Sequence, residues 1–485
     1  MQLCKESVAN TAVTYRPDVD GLRAVAVMGV VAYHLGAFRA HGGFVGVDVF
    51  FVISGYLISS VILRDLEQSR FSLRAFYERR IRRILPALVV MMMITAFVCS
   101  YYQLPSQLPG TALSLIAATF SASNIYFLLA TAYFPNYRSE PFSPTWSLAV
   151  EEQFYIFFPL FLILARRYLP GRLKTVVITV AAVSFVLSAF GVYLFPWATF
   201  FLPITRAWEL LLGTMLAMDV FPRIDSVLLR NVLPLTGLAG ILFCLFTYSP
   251  SLPFPGVAAL APCLGAALII AAGETGKSLV GRVLSLKPVV FLGLISYSLY
   301  LWHVPVMMFQ RFGIVQISNA SNHVVKGATL VVSILVATLS WKFVETPFRT
   351  GRLMLKGRSA FAFAAVSAVM LTVLGVTLVA LHGLSLRYTH RQLALSSYTG
   401  NALPGRSGSR FIESGGVASK PHDPGNCLHQ DPSRKNYLFT ADRDAAQLWY
   451  GLHKVFPNIK FMQATTSGCE SLIAVQAGLP ARRAP

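Results

Sequence analysis

The stretch GFVGVDVFFVISGYLISSVIL, residues 43–63, carries one charged side chain, Asp48, and has the length of about 20 residues that an apolar helix needs to cross a bilayer. It is followed by a polar segment, 64–83, that ends Arg79-Arg80-Ile81-Arg82-Arg83 and leads through Pro86 into another apolar run. Comparable runs lie near 22–41, 84–103, 111–130, 147–165, 175–195, 203–219, 230–248, 255–273, 288–310, 323–343 and 360–382. Of the 485 residues, 55% are hydrophobic and 13% are charged, about half the charged share of a soluble domain. The sequence therefore reads as an all-α membrane protein whose first solvent is lipid.

The formal net charge of +20 fits Lys and Arg gathered in cytoplasmic loops, which orient membrane helices, and implies no nucleic-acid partner. Placing 64–83 in the cytoplasm puts the N-terminus there too. The same rule then requires one later run not to span, because the basic loops around 166–174 and 274–287 would otherwise lie outside. The weakest run is 111–130, rich in Ser, Thr and Ala between Pro105, Pro109 and Pro135. Read as a re-entrant or surface segment, it leaves a polytopic bundle of about ten transmembrane helices plus an eleventh linker helix, with the C-terminal tail extracytoplasmic. The expected division is 1–350 for the bundle, 351–385 for the linker helix, 386–435 for a flexible linker and 436–485 for a short α/β segment. Residues 1–20 are polar and the first apolar run carries Arg23 and His34, so that run is expected to stay as a membrane helix and not to be cleaved as a signal peptide. The absence of an internal repeat counts against the repeat-built transporters.

Ionisable groups inside membrane segments are costly and usually line a cavity or pathway. Arg23 and His34 are eleven residues apart, which places them within roughly 20° on one helix face and about 16 Å apart along the axis. Histidine suits general-base work near neutral pH; the plain alternative for His34 is a buried neutral imidazole. Glu151 and Glu152 are adjacent at the start of a span, so at most one faces a shared cavity. Arg206 and Glu209 have the spacing of a helical ion pair. His303, after Tyr297-Ser298-Leu299-Tyr300-Leu301-Trp302, is either a site residue or an interfacial histidine in an aromatic belt. The arginines form two i,i+3 pairs, Arg79 with Arg82 and Arg80 with Arg83. They either anchor topology or clamp phosphate, whose oxygens match guanidinium forks. Cys4, Cys99, Cys244 and Cys263 show no metal or redox spacing and are read as packing residues. Cys427 and Cys469 flank a polar segment where a disulfide forms if the compartment is oxidising. No metal site and no permanently bound cofactor are expected.

These segments together resemble the acyltransferase 3 family of integral-membrane acyltransferases. The matching pieces run from Tyr15-Arg16-Pro17-Asp18-Val19-Asp20-Gly21-Leu22-Arg23 through the Gly43–Tyr56 stretch, the arginines before Pro86, Trp146–Tyr155, Arg206–Glu209 and Tyr297–Pro305 to Phe343-Val344-Glu345-Thr346-Pro347-Phe348-Arg349. The resemblance implies transfer of an acyl group, with acetyl expected, from cytosolic acyl-CoA to a hydroxyl of an extracytoplasmic glycan such as lipopolysaccharide O-antigen, peptidoglycan or exopolysaccharide, in the bacterial inner membrane. It implies that His34 is the central catalytic residue with Arg23 on its helix. Glu151 and Glu152 join them as catalytic candidates, and Arg79, Arg80, Arg82 and Arg83 as candidates for binding the donor's phosphates. Asp48, Arg206, Glu209, His303, Glu345 and Arg349 are secondary candidates. A transporter or flippase is the rival reading, since intramembrane Arg, His and Glu also mark substrate pathways.

The tail is similar to a truncated, degenerate hydrolase-like domain of the SGNH type. Where that domain's Gly-Asp-Ser-His block carries its nucleophile, this chain reads Thr440-Ala441-Asp442-Arg443-Asp444, with Arg443 at the serine position. The expectation is a tail without hydrolase activity of its own, in which Cys427 and Cys469 occupy the places of the domain's bridge.

Overall fold

Helix α1 (Pro17–Leu35) begins on a proline, whose missing N–H is no loss in a first turn, and carries Asp18 and Asp20 where the helix dipole favours acids. It stops at Gly36, which takes the left-handed conformation with φ 57°. A short 3₁₀ turn, Gly43–Val45, then leads into α2 (Gly46–Glu67). Ser72 caps α3 (Leu73–Tyr102) by accepting from the Ala75 N–H, so that the arginine cluster and the apolar run after Pro86 share one continuous helix. The computed structural model describes residues 15–133, 140–314, 321–351, 357–390, 392–393, 411–412, 433, 435–441, 456 and 458–466.

The weak run 111–130 is divided between α4 (Leu108–Thr119) and α5 (Ser123–Tyr133), of 12 and 11 residues. Neither half is long enough to span. Helices α6 (Thr145–Tyr168), α7 (Leu173–Leu194), the short α8 (Pro196–Phe201), α9 (Pro203–Ala217), α10 (Val227–Thr247) and α11 (Leu260–Thr275) follow. The expected single run 288–310 is instead broken. After α12 (Leu279–Leu284), helices α13 (Lys287–Leu294) and α14 (Ser296–Arg311) meet at 67°. Helix α15 (Asn322–Ser340) continues through a π turn, Trp341–Glu345, into α16 (Thr346–Arg349), and α17 (Arg358–Ala380) closes the series.

Among the described residues nine helices are long and apolar enough to cross a membrane, ten if α13 and α14 count as one broken span. Helix α1 has 19 residues but carries Asp18, Asp20 and Arg23 in its first two turns. The protein is a multi-pass membrane protein. Its outward faces are apolar: Val183, Val186 and Phe190 on α7 and Val366, Val369 and Val373 on α17 are exposed, as lipid-facing side chains should be. Inside, small residues set the spacing. A Cβ at Gly55 would overlap the Leu210 carbonyl, and one at Gly213 would overlap that of Val52, so α2 and α9 pack backbone to backbone.

One unit comprises Met1–Gln103 and Leu108–Ala380, and a second comprises Leu104–Gln107 and Leu381–Pro485. In the second, β1 (Phe411–Ile412), β2 (Lys435–Ala441) and β3 (Ile459–Thr466) form a parallel sheet in the order β1-β3-β2, with Tyr437 opposite Phe461. Cys427, Cys469, Arg443 and Asp444 lie outside the described residues.

Candidate functional site

A cavity of about 80 Å³ opens inside the bundle. Three guanidiniums line it, Arg23 from α1 and Arg80 and Arg83 from α3, together with Glu151 and Tyr155 from α6, Ser54 from α2 and Tyr300 from α14. Arg23 is 3.3 Å from Asp20. The Arg80 guanidinium lies over the rings of Phe76 and Tyr155, at 5.8 and 6.0 Å. Glu151 accepts hydrogen bonds from Ser54 Oγ and Tyr155 Oη, so the carboxylate is held by two hydroxyls in a pocket of net positive charge.

The structure divides the arginine cluster. Arg80 and Arg83 face the cavity, while Arg79 pairs with Asp65 at 3.2 Å and Arg82 with Glu78 at 3.9 Å. The adjacent acids divide as well. Glu152 turns from the cavity to accept from Ser121 Oγ, and Gln153 Nε2 donates to Asn124 Oδ1 at 2.9 Å, tying α6 to the α4–α5 segment.

His34 lies on the last turn of α1 and is exposed, whereas His303 is fully buried. Their rings meet with His303 Nε2 3.3 Å from His34 Nδ1. His34 Nδ1 is also 3.0 Å from the Val30 carbonyl, and His303 Nδ1 is 2.6 Å from the Tyr300 carbonyl. The pair is joined to the cavity through Tyr300, whose hydroxyl bonds Ser147 Oγ at 2.5 Å and whose ring packs 6.2 Å from Phe50. The break between α13 and α14 supports this arrangement, because irregular backbone at membrane depth is tolerated where it lines a cavity inside the protein.

Asp48, Arg206 and Glu209 form a separate buried cluster. Arg206 is 3.1 Å from Asp48 Oδ1 and 3.0 Å from Glu209 Oε1, with side chains at most 1% exposed. The rings of Phe51, Trp146, Phe200 and Phe254 surround the guanidinium at 5.3 to 5.8 Å. Cys263 Sγ lies within 4.8 Å of these carboxylates, but Arg206 already occupies the position of the cation, and a metal ion beside it would meet strong repulsion. Phe51 is the wall shared by cluster and cavity. Glu345, buried by the π turn, accepts from Ser298 Oγ at 3.0 Å, and Arg349 reaches it from the surface at 3.7 Å.

Sequence reasoning did not single out Ser54, Tyr155 or Ser147. Tyr155 was legible, since it lies four residues after Glu151 on the same helical face. Ser54 carried no signal beyond a hydroxyl in an apolar run.

Fold and site together define a multi-pass membrane protein with a charged cavity inside the bundle. The Acyltransferase domain family matches residues 16–344, and the chain belongs to that family. It is 35% identical over 357 residues to the peptidoglycan O-acetyltransferase OatA of Listeria monocytogenes, covering 69% of this chain and 56% of that protein. It is 33% identical to the O-acetyltransferase OatA of Staphylococcus aureus, covering 72% and 59%. With the putative peptidoglycan O-acetyltransferase YrhL of Bacillus subtilis it shares 36%, over 69% and 55%. The chain thus spans little more than half the length of these relatives. No solved structure matches it.

Proposed function

We propose that the chain is a membrane O-acyltransferase that takes an acetyl group from cytosolic acetyl-CoA and delivers it to a hydroxyl of an extracytoplasmic glycan. The names of the relatives favour peptidoglycan as that glycan. The observation that carries the reading is a shared cavity into which α1, α3 and α6 project Arg23, Arg80, Arg83 and Glu151. Arg80 and Arg83 hold the phosphates of the donor, with guanidinium geometry suited to phosphate oxygens. The long arm of coenzyme A carries the thioester from that depth toward His34. There the imidazole takes the proton of the attacking sugar hydroxyl as the new C–O ester bond forms, and passes it to the coenzyme A thiolate as the thioester C–S bond breaks. The donor is a substrate and no resident cofactor enters the reaction. This polarity sets the N-terminus in the cytoplasm of a bacterial inner membrane, with the end bearing His34 facing outward.

The test is purified protein in lipid nanodiscs with labelled acetyl-CoA and soluble peptidoglycan fragments. Label transferred to glycan is the expected result. A protein that leaves acetyl-CoA unconsumed, in cells whose surface glycans have the same acetylation with and without it, refutes the reading in favour of a transporter.

A further inference from the structure

The geometry points to His303 as the residue that sets the tautomer of His34 and stabilises the imidazolium formed when His34 takes a proton. This rests on the proposal that His34 is the general base. Each histidine has its Nδ1 against a backbone carbonyl, His34 against Val30 and His303 against Tyr300. A carbonyl oxygen only accepts, so both Nδ1 atoms carry hydrogen and, in the neutral rings, both Nε2 atoms carry the lone pair. His303 Nε2 then presents its lone pair to the N–H of His34 Nδ1 at 3.3 Å, a second acceptor beside the Val30 carbonyl.

Two consequences follow for the reaction. The basic atom of His34 is Nε2, on the ring edge away from His303. When that atom takes the sugar's proton, the positive charge spreads to the Nδ1–H, which His303 Nε2 already accepts. A base held by a second acceptor is the arrangement that orients imidazole in nucleophilic catalysis. Here the acceptor is a neutral imidazole, which orients His34 without placing another buried carboxylate at the end of the span. Burial suits His303 to this task, since it is 0% exposed and in van der Waals reach of Tyr300 on its own helix, with ring centroids 5.5 Å apart. His303 never touches substrate in this account; it is a positioning residue.

The experiment compares His303→Gln and His303→Phe in the full chain in nanodiscs, with acetyl-CoA as donor and soluble peptidoglycan fragments as acceptor. Gln offers a side-chain carbonyl to the His34 N–H, whereas Phe fills the volume and accepts nothing. The expected result is a fall in kcat of about tenfold to a hundredfold for Phe, less than the roughly 10²–10⁴-fold ascribed to a well-placed base, because the base itself remains. The KM for acetyl-CoA is unchanged, and Gln recovers a substantial part of kcat. Equal melting temperatures for both variants establish that packing is intact. A Phe variant with wild-type kcat overturns the assignment while leaving the acyltransferase reading standing, and so does a Gln variant as slow as Phe. Loss of wild-type turnover on treatment with a metal chelator also overturns it, because the facing nitrogens would then be metal ligands. A wild-type protein that consumes no acetyl-CoA removes the assignment together with the reading beneath it.

Discussion

Replacing Arg206 with Met leaves Asp48 and Glu209 facing each other without a cation. Both acids are 0% exposed and the guanidinium lies 3.1 and 3.0 Å from their oxygens. Breaking a buried pair by removing one partner costs about 3–5 kcal/mol. The four rings around Arg206 add a cation–π loss of about 0.5–2 kcal/mol. Set against a net folding stability of about 5–15 kcal/mol for a typical protein, this is a large fraction, so Arg206→Met is expected to lower both abundance and melting temperature. Neutralising the whole cluster, with Asp48→Asn, Arg206→Met and Glu209→Gln together, removes the uncompensated charge and is expected to recover most of the loss, since apolar or neutral replacements of a complete buried cluster are often close to neutral. The assay is thermal melting followed by fluorescence-detected size exclusion in detergent, with acetyl-CoA consumption measured on whatever remains folded. The reasoning is refuted if Arg206→Met melts like wild type, or if the triple variant is no more stable than the single one. A folded triple variant that retains turnover confines the cluster to holding α2 against α9.

His34→Ala is expected to abolish acyl transfer at near-normal abundance, since it removes a base from the exposed end of α1; activity above about a tenth of wild type, far more than loss of a general base should leave, takes His34 out of the mechanism. Arg80→Ala with Arg83→Ala is expected to raise the KM for acetyl-CoA, with Lys at both positions restoring only part of it. The pair Arg79→Ala and Arg82→Ala, which lose only the partners Asp65 and Glu78, should leave that KM in place; equal effects from the two pairs would reduce the cluster to a topology anchor. Glu140, in the segment before α6, accepts from Thr111 Oγ1 at 3.0 Å, and burial pushes its carboxyl up to about 7 despite that bond. The folded state then holds a proton that the unfolded chain has already released. Stability from this group is therefore full below its ordinary value of 4.5 and is lost as pH rises through about 7. Melting temperature should fall across that window in wild type and fall less in Glu140→Gln; parallel slopes would show that Glu140 does not titrate there.

Much of the site could be read along single helices. The Arg23-to-His34 spacing, the divergence of Glu151 from Glu152 and the i,i+3 relation of Arg206 to Glu209 all follow from a fixed 100° per residue. What a single helix cannot show is which arginine pair faces inward. The i,i+4 relation of Glu78 to Arg82 lies along α3 itself, but Asp65, which draws Arg79 away from the cavity, comes from α2.

The sequence by itself determined that the chain crosses a membrane many times, because runs of about 20 apolar residues have no comparable explanation in water, and it marked which few ionisable groups lie inside. Tertiary structure decided the partners that come from other helices. Asp48 meets Arg206 because Gly55 and Gly213 let α2 and α9 touch. Ser54 finds Glu151 across α2 and α6. His34 finds His303, 269 residues away on α14. Periodicity reports the direction in which a side chain leaves its own helix, whereas the group it meets depends on how close the next backbone can come, and that is a property of two helices at once.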